Sequence, residues 1–395
     1  MGRLILLAAG KAAGSMTEVA EKHYLDRLQI AGERLNGVAV ARHGYGRPLR
    51  RVYMIEAGHP IPDAAGLEGA DRALNLADEA NENDLVLVLM SGGASANWIA
   101  PTTGLTLEEK QATTRALLKS GAAIGEINTV RKHLSRIKGG RLAKRAYPAK
   151  VVTLSISDVP GDDPAVIGSG PTIPDPSTLA DARAIAARYG LELPDAARRA
   201  LEDPAKETPK PGDVVFAATA YNIVARPADA LAAAAVRVNA AGYECVNLGG
   251  RLQGEARDIA AEHARLALAM RAEGRRAVIL SGGELTVTLR GRGQGGPNQE
   301  YALSLAIHLG GATGIAGLAA DSDGTDGGGG RPDDPAGAFV DATTLARAKV
   351  AGLDPAAFLA DNNSGGFFNG IGDLFRPGPT FTNVTDFRAI VVDRV

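Results

Sequence analysis

An apolar stretch runs directly into the tripeptide Ser-Gly-Gly at two places in this 395-residue chain. The first is 85–90 followed by Ser91-Gly92-Gly93, and the second is 277–280 followed by Ser281-Gly282-Gly283-Glu284. A buried strand that opens into glycines exposes backbone N–H groups beside a hydroxyl, and such a turn suits an anion, above all a phosphate. Because the two copies lie in different halves of the chain, they predict a ligand with two charged ends held between two domains.

Cationic side chains in the first half offer further contacts for an anion. Lys11 follows Gly10 at a predicted turn from a strand into a helix, where an ammonium fits a phosphate or a carboxylate. The spacing of a P-loop is absent, so a solvated surface lysine is the alternative interpretation. Further along, Asn128, Arg131 and Lys132 fall near one face of a basic helix, which is either an anion-binding face or a solvated basic face.

Two groups of carboxylates follow predicted strands. The first group consists of Asp158, Asp162 and Asp163, whose carboxylate oxygens could serve as the ligands that Mg²⁺ requires. The alternative is an ordinary turn, because turns also favour aspartate. The second group, with Asp321, Asp323 and Thr325, resembles half of a calcium loop but lacks the closing glutamate of an EF-hand. It therefore favours contact with a substrate or with a magnesium–nucleotide complex.

The run Gly291-Arg292-Gly293-Gln294-Gly295-Gly296 matches the G-x-G-x-x-G pattern of dinucleotide-binding proteins. Taken alone, it predicts NAD binding. The preceding stretch, 285–290, alternates apolar and polar residues, whereas a central strand of a dinucleotide-binding fold is apolar on both faces. The downstream acid, Asp321, also lies beyond the usual spacing of about 20 residues. The NAD-dependent reaction is therefore the alternative rather than the main prediction.

The composition narrows the class of protein. With 45% hydrophobic residues and a net charge of −2, the chain has enough apolar residues for two domain cores and no bulk charge for nucleic acid or a membrane surface. Cys245 is the only cysteine, so no disulfide forms within the chain and a reducing compartment is expected. The early apolar run 4–9 is too short to cross a membrane and predicts a first strand. We expect a cytoplasmic protein.

Strand-like and helix-like segments alternate along the chain, which predicts α/β domains with mainly parallel sheets. The stretch 203–212 is rich in proline and lysine and predicts a linker between domains 1–208 and 213–395. One long basic helix is predicted over 125–147. The predicted strands are 4–9, 38–42, 52–57, 85–90, 151–156, 214–218, 244–248, 278–280, 315–320 and 387–392, with a hairpin arm at 285–290.

Taken together, the motifs resemble the glycerate 2-kinases that carry the MOFRL domain. The match is collinear over essentially the whole chain. The segments that carry it are Gly10-Lys11-Ala12-Ala13, Gly58-His59-Pro60-Ile61-Pro62-Asp63, Ser91-Gly92-Gly93-Ala94-Ser95, Asn128-Thr129-Val130-Arg131-Lys132, Lys138-Gly139-Gly140, Ser157-Asp158-Val159-Pro160-Gly161-Asp162, Gly168-Ser169-Gly170-Pro171-Thr172, Ser281-Gly282-Gly283-Glu284, Asn298-Gln299-Glu300, Asp321-Ser322-Asp323-Gly324-Thr325-Asp326 and Asn383-Val384-Thr385-Asp386.

The resemblance implies a Rossmann-like N-terminal domain and a MOFRL-type C-terminal α/β domain, with the active site in the cleft between them. It implies phosphorylation of D-glycerate at the 2-hydroxyl by ATP with a divalent metal, and it makes Lys11 the active-site lysine. The alternatives are an NAD(P)H-dependent hydroxypyruvate reductase, a label that some relatives carry, and a non-catalytic protein that binds small anions. A homodimer is possible.

The resemblance also suggests roles for the remaining polar residues. The predicted catalytic residues are Lys11, Arg292, Asp158 and Asp321. The predicted phosphate contacts are Ser91, Gly92, Gly93, Ser281, Gly282, Gly283, Glu284, Arg131 and Lys132. The predicted substrate contacts are Asn128, Asn298, Asp323 and Thr325, and the predicted Mg²⁺ ligands are Asp158, Asp162 and Asp163.

Two features differ from the usual family pattern. Many members have an arginine where this chain has Pro297, so a guanidinium at that turn must come from Arg292 or Arg290. Members also usually have a helical segment before the first strand, whereas this chain begins almost on the strand, so that either the start is trimmed or that packing is lost.

Overall fold

Apolar runs form a six-stranded sheet in the first half of the chain. The computed structural model describes residues 2–327, 331 and 333–394. The strands of this sheet are β1 (Leu4–Ala9), β2 (Leu35–Arg42), β3 (Tyr53–Ala57), β4 (Leu85–Met90), β5 (Lys150–Ile156) and β6 (Thr219–Ala225). Their order is β3-β2-β1-β4-β5-β6, and the neighbours from β3 to β5 are parallel. Every residue of β1 is buried, as expected for a strand that is apolar on both faces.

Helices cover both faces of this sheet. They are α1 (Ala13–Glu21), α2 (Ala64–Asp78), α3 (Ala94–Asn97), α4 (Leu107–Lys119), α5 (Ile124–His133), α6 (Arg141–Ala146), α7 (Leu179–Arg188) and α8 (Asp195–Glu202). Alternate residues of β1 belong to different cores, since Ile5 and Leu7 pack with α2 residues whereas Leu4 and Leu6 pack with α1 residues. The predicted Rossmann-like α/β fold is therefore confirmed here.

The strand order of this sheet reverses between β1 and β4. From β1 the chain passes to β2 and β3 on one side, whereas β4 and β5 lie on the other side. In open α/β sheets, ligands bind outside the carboxyl ends of the strands where the order reverses. This reversal lies at the ends of β1 and β4.

A second six-stranded sheet forms from the later part of the chain. Its strands are β7 (Glu244–Asn247), β8 (Ala277–Gly283), β9 (Ile315–Asp321), β10 (Gly337–Val340), β11 (Leu374–Phe375) and β12 (Asp386–Val392), in the order β11-β10-β9-β12-β8-β7. The last strand, β12, inserts between β8 and β9 and runs antiparallel to both. The sheet is therefore mixed rather than mainly parallel, and Asp386 lies opposite Gly283 and Asp321.

The helices of this second unit are α9 (Pro227–Ala240), α10 (Ala256–Ala272), α11 (Pro297–Leu309), α12 (Thr344–Val350), α13 (Pro355–Ala360) and α14 (Ser364–Ile371). Residues of α10 and α11 share one core with the sheet, while Leu231 of α9 packs with Val278 and Leu280 in another. No helix within the described ranges has the length and apolar character needed to cross a bilayer.

Three predictions about elements are wrong. Instead of a strand over 214–218, Val214–Phe216 forms a 3-10 turn, and the strand that follows, β6, belongs to the first sheet. The arm 285–290 is not a strand, because only Thr286 makes an isolated bridge, to Glu255. The basic helix 125–147 is two helices, since Gly139 and Gly140 between them adopt φ angles of 59° and 79°.

The chain divides into two compact units, Met1–Val224 and Ala225–Val395. The domain limits 1–208 and 213–395, which were inferred from the composition of the linker, remain a prediction. The predicted acidic loop 321–330 is described as far as Gly327, and its last three residues lie outside the described residues.

Candidate functional site

The turns that follow β1 and β4 are joined by direct hydrogen bonds. The backbone N–H of Lys11 donates to the carbonyl of Gly92 at 2.8 Å, and the N–H of Ala12 donates to Ser91 Oγ at 2.9 Å. A Cβ atom on Gly10 (φ 116°) would lie 2.4 Å from Ser91 Oγ, so only glycine permits this approach. The Ser91 hydroxyl is thus buried and already accepts a hydrogen bond.

The side chain of Lys11 lies along the second glycine turn. A Cβ atom on Gly93 (φ 85°) would be 3.5 Å from Lys11 Cγ and 3.0 Å from His59 Cδ2. Lys11 lies two residues before α1, and the amino end of a helix carries partial positive charge. An ammonium and a helix amino end placed together favour a bound anion, and the anion contact of Lys11 stays a prediction.

Three separate glycine- and serine-rich motifs meet beside this turn. Ser95 Oγ and Ser169 Oγ share a hydrogen bond of 2.6 Å, and Lys138 Nζ donates to the carbonyl of Ser95 at 2.9 Å. The N–H of Gly139 donates to the carbonyl of Ser169 at 3.0 Å. The motifs 91–95, 138–140 and 168–172 therefore form one continuous wall near the end of β4.

The basic residues of α5 are mostly withdrawn from solvent. Asn128 is 6% exposed and Lys132 is 8% exposed, so the solvated-face alternative is wrong. Lys132 Nζ lies 3.5 Å from a carboxylate oxygen of Asp175, which balances its charge. Arg131 contacts Asn128 Oδ1 through Nη1 at 3.5 Å, and burial lowers the pKa of its guanidinium. The helix thus contributes buried positive charge to the first unit.

The three predicted metal ligands do not converge. Asp158 is half-buried just past β5, whereas Asp163 is exposed and accepts a hydrogen bond from the N–H of Ala165 at 2.9 Å. Asp162 is half-buried at a φ of 58°. Over the described part of the chain, no three His, Cys, Asp or Glu side chains are grouped so that they could hold a metal ion. The donor set fits Mg²⁺ held by one or two carboxylates and phosphate oxygens, not an all-protein cage.

The second Ser-Gly-Gly segment differs from the first, and the prediction of a glycine turn there is wrong. Ser281, Gly282 and Gly283 are the last three residues of β8 and pair with β12. The N–H of Gly282 donates to the carbonyl of Gly249 at 2.9 Å, so this donor is already used. Glu284, just beyond the strand, is exposed.

A buried polar network lies where β8 and β9 end and β12 begins. Asn298 Nδ2 donates to Asp326 Oδ1 at 3.1 Å and to Asp386 Oδ1 at 2.6 Å. Arg388 Nη2 donates to the other oxygen of Asp386 and, at 3.2 Å, to the carbonyl of Gly283. The network fixes Asn298, a predicted substrate contact, between two carboxylates.

No role was predicted for Asp326, Asp386 or Arg388 from the sequence. One signal was available, because Asp386, Arg388, Ile390 and Val392 alternate along β12 on its buried side. Two opposite charges on a buried strand face indicate an internal ion pair.

Burial changes the acidity of these carboxylates. Desolvation, followed by the charge of Asp386, raises the pKa of Asp326 to about 6. Burial also raises the pKa of Asp386, while the neighbouring Arg388 charge acts in the opposite direction. Backbone N–H groups of Asn298 and Gln299 bond to Asp326 at 3.0 and 2.8 Å, so this carboxylate also holds the amino end of α11.

The loop after β9 is organised by its own acids. Asp321 Oδ1 accepts a hydrogen bond from the N–H of Asp323 at 2.9 Å, and Asp323 Oδ1 accepts from the N–H and hydroxyl of Thr325 at 2.7 and 3.2 Å. Asp323 and Thr325 are buried, whereas Asp321 is half-buried at the end of the strand. Of the three, Asp321 is therefore best placed to reach a ligand.

The glycine run 291–296 has a packing role that explains its composition. A Cβ atom on Gly291 would lie 2.3 Å from the carbonyl oxygen of Asp361, and one on Gly293 would lie 2.3 Å from Asn363 Cβ. The run does not follow a strand, as a dinucleotide fingerprint requires. Arg292 is exposed, and its backbone N–H donates to Asp361 Oδ1 at 3.0 Å.

A polar cavity of about 360 Å³ lies beside Asp326 in the second unit. Gln299, which is 1% exposed, contributes to its wall, and its Oε1 has no hydrogen-bond partner among the described residues. The sequence analysis did not anticipate this cavity. Its polar lining includes Gln294, Gln299, Asp326, Asn369, Arg331 and Arg376.

Comparison with known proteins gives two family matches. The domain of unknown function DUF4147 matches residues 1–202, and the MOFRL family matches residues 277–386. The D-glycerate 2-kinase of Thermotoga maritima is 41% identical, over 98% of this chain and 90% of its own length. A protein of Agrobacterium vitis named "Putative hydroxypyruvate reductase" is 47% identical, over 99% of this chain and 87% of its own length.

A crystal structure of glycerate kinase from Thermotoga maritima is also similar. It has a TM-score of 0.87 and 39% sequence identity, and the match covers 99% of this chain and 92% of that chain. These findings confirm the resemblance stated from the motifs: the chain belongs to the glycerate 2-kinase family that carries the DUF4147 and MOFRL domains.

Proposed function

We propose that this protein transfers the γ-phosphoryl group of ATP to the 2-hydroxyl of D-glycerate and forms 2-phosphoglycerate. The observation that carries the proposal is the match to a D-glycerate 2-kinase over 98% of this chain. The arrangement at the ends of β1 and β4 supports it, since Lys11, the amino end of α1 and the joined glycine turns together favour an anion.

Phosphoryl transfer depends mainly on positioning and on neutralising charge. Lys11 is the residue proposed to face the phosphoryl oxygens, because it lies on the glycine turn and at a helix amino end. Ser91 holds the turn closed through Ala12, so its proposed contribution is to shape the turn. The exposed guanidinium of Arg292 is proposed to offset charge as the phosphoryl group moves.

The acceptor hydroxyl needs a group that orients it and takes up its proton. We propose Asp321 for this role, because it is half-buried at the end of β9, whereas Asp323 already accepts two hydrogen bonds from Thr325. Asn298 is held rigidly by Asp326 and Asp386, which suits a residue that positions a substrate.

A magnesium ion would neutralise charge on the nucleotide phosphates. Asp158 and Asp162 are proposed to hold it, because both are half-buried at the end of β5. The cytoplasm stays the predicted location, since ATP is the proposed co-substrate, and a homodimer stays a prediction.

Reduction of hydroxypyruvate is the second candidate, because the Agrobacterium vitis relative carries that name at 47% identity. The glycine run 291–296 does not support it, since Gly291 and Gly293 pack against residues 361–363 and Gly296 packs against Asp326.

Parallel assays on one preparation test the proposal. We expect D-glycerate-dependent release of ADP from Mg-ATP, and no hydroxypyruvate-dependent loss of NADH absorbance. A saturable loss of NADH without ADP release would establish the reductase instead. Thermal stabilisation by an anion without turnover of any substrate would support a non-catalytic anion-binding protein.

A further inference from the structure

Several cationic side chains are buried together around the end of α5. Lys110 Nζ donates to the carbonyls of Arg131 and Leu134 at 3.0 and 3.1 Å, and the residue is 2% exposed. Lys138 is 1% exposed, and its ammonium donates to the carbonyl of Ser95. The positive charge of Arg131 lowers the pKa of both lysines further than burial alone does.

The acids of this region balance only part of that charge. Asp175 pairs with Lys132, and Asp175 and Glu207 both lie within electrostatic reach of Arg141. No carboxylate oxygen lies within 4.0 Å of the Arg131 guanidinium in the described ranges. Its contact is the amide oxygen of Asn128, which carries no net charge.

Backbone carbonyls satisfy the N–H groups of Lys110 and Lys138 but do not cancel their charge. A buried cation without a counter-ion is unfavourable unless an anion joins it. This group is connected to the glycine turn through Lys138, which contacts Ser95 two residues past Gly93. The missing negative charge therefore belongs to a ligand near the end of β4.

We infer that Arg131, with Asn128 beside it, receives the carboxylate of the hydroxy-acid substrate. This inference rests on the proposed function and assigns Arg131 to the acceptor rather than to the nucleotide phosphates. A guanidinium presents a planar fork that matches the two oxygens of a carboxylate. A triphosphate carries several charges, whereas the two ammonium groups nearest this helix, those of Lys110 and Lys138, donate to backbone carbonyls.

The inference defines a substrate class. The enzyme acts on 2-hydroxy acids and discriminates against uncharged analogues such as glyceramide and glycerol. A site that leaves a buried cation unpaired rejects the neutral analogue strongly. We expect wild-type kcat/KM for D-glycerate to exceed that for glyceramide by a factor of about 100 or more.

The test compares Arg131→Met and Arg131→Lys with a control, Arg136→Met. Arg136 lies nearby and is paired with Asp71 at 2.6 Å, outside the proposed binding residues. Arg131→Met is expected to raise KM for D-glycerate by about 100-fold, to leave KM for ATP unchanged and to abolish discrimination against glyceramide. Arg131→Lys is expected to discriminate against glyceramide only in part, because an ammonium does not offer the two parallel N–H groups of a guanidinium.

Stability provides a readout that a purely structural role would not give. Arg131→Met removes a half-buried charge that is not paired with a carboxylate among the described residues, so its Tm without ligand is expected to equal or exceed that of the wild type. D-glycerate is expected to raise the Tm of the wild type and of Arg136→Met, but not that of Arg131→Met. Guanidinium ions added to Arg131→Ala are expected to restore part of the activity toward D-glycerate.

The outcomes separate this inference from the proposed function. If Arg131→Met raises the KM for ATP and leaves the KM for D-glycerate unchanged, Arg131 binds the nucleotide and the inference is wrong. The inference is also wrong if Arg131→Met lowers the Tm and changes neither the KM for D-glycerate nor the KM for ATP. If the wild type has no kinase activity, calorimetric titration of D-glycerate still decides, since binding to wild type and not to Arg131→Met supports the carboxylate site.

Discussion

The absence of a Cβ atom at two glycines determines how closely the turns around Lys11 approach each other. The missing side chains of Gly10 and Gly93 let the turns after β1 and β4 touch, and the lysine stem runs along the contact. The stem of Lys11 is thus positioned by the glycine turn as well as by its place before the helix. This position supports a role in transfer more strongly than the motif Gly10-Lys11 did by itself.

Replacing Lys11 tests that role. Lys11→Ala is expected to lower kcat by about 10²–10³, or about 3–4 kcal/mol, because one preorganised contact with developing charge is lost. Lys11→Arg is expected to restore little, since a planar fork cannot replace a point charge in a tight turn. Steady-state kinetics and circular dichroism measure both variants, and Lys22→Ala, an exposed position just after α1, serves as the control. Near-normal kcat in Lys11→Ala would make Lys11 a surface lysine without a catalytic role.

The acidity of Asp326 predicts a pH-dependent contribution to stability. Its pKa is raised from an ordinary 3.8 to about 6, so the folded protein holds a proton that the unfolded chain releases. This contribution is fully present below about pH 4 and is lost as the pH rises through about 6. The free energy of unfolding of the wild type, minus that of Asp326→Asn, should fall by about 3 kcal/mol between these limits. Denaturant titrations at several pH values measure the difference, and parallel profiles would contradict the assignment.

At the residue scale, polar residues of interest were easier to predict from the sequence than the residues that bond to them. Lys11 and Asn298 were both singled out from the sequence, but nothing in the local sequence links Asn298 to Asp326 and Asp386. Those partners are 28 and 88 residues away along the chain. Only the insertion of β12 between β8 and β9 brings them together.

Among the elements, strands with continuous apolar runs were the most predictable. β4, β8 and β9 are flanked by polar or glycine-rich turns, and their predicted centres are confirmed. A capping box of Thr106 and Glu109 at the start of α4 is another local signal, because its two residues lie only three positions apart. These signals are local, so they do not depend on how the chain folds elsewhere.

Elements whose pattern depends on tertiary contacts were predicted less well. The alternating stretch 285–290 has the polarity of an exposed strand but lacks a partner strand along its length. The orientation of β12 could not be predicted either, because hydrophobic periodicity shows which face of a strand is buried but not which strand pairs with it. The second Ser-Gly-Gly was therefore predicted as a turn although it lies within β8.

The packing of the glycine run can be tested by adding a methyl group. Gly293→Ala is expected to destabilise the protein by about 2 kcal/mol or more, since the new Cβ would overlap Asn363, without changing the affinity for NADH. Gly125→Ala in α5 is the matched control, because its Cβ would meet no atom within 4 Å. This control is expected to stabilise by about 0.5–1 kcal/mol. Thermal unfolding of both variants provides the measurement, and equal stability would contradict the packing role.

For the whole molecule, the assignment of β6 predicts where the first unit ends. The N–H of Val151 in β5 donates to the carbonyl of Ala218, and Ile223 of β6 packs against the first core. A fragment of residues 2–226 is expected to unfold cooperatively and to be about 2–4 kcal/mol more stable than a fragment of residues 2–208. Urea titration compares the two fragments. Equal stability would instead support the limit at 208 that the linker composition predicts.

The architecture also explains which parts of the site were predictable. The reversal of strand order lies at the ends of β1 and β4, and the glycine turns predicted after these two strands already drew attention to this part of the fold. The buried charge around Arg131 was not evident, because a basic helix in a sequence can face either solvent or a core. Only the positions of Lys110 and Lys138 show that the charge is internal.

Identification of the product is the most direct test of the account. D-glycerate is incubated with the purified protein, ATP and Mg²⁺, and proton-coupled ³¹P spectra are recorded. We expect a new phosphomonoester doublet, because the phosphate of 2-phosphoglycerate is bonded through oxygen to a carbon that carries one proton, and an equal amount of ADP. A triplet, which a phosphate on the two-proton carbon 3 gives, would contradict the position of transfer, and unchanged ATP would contradict the kinase.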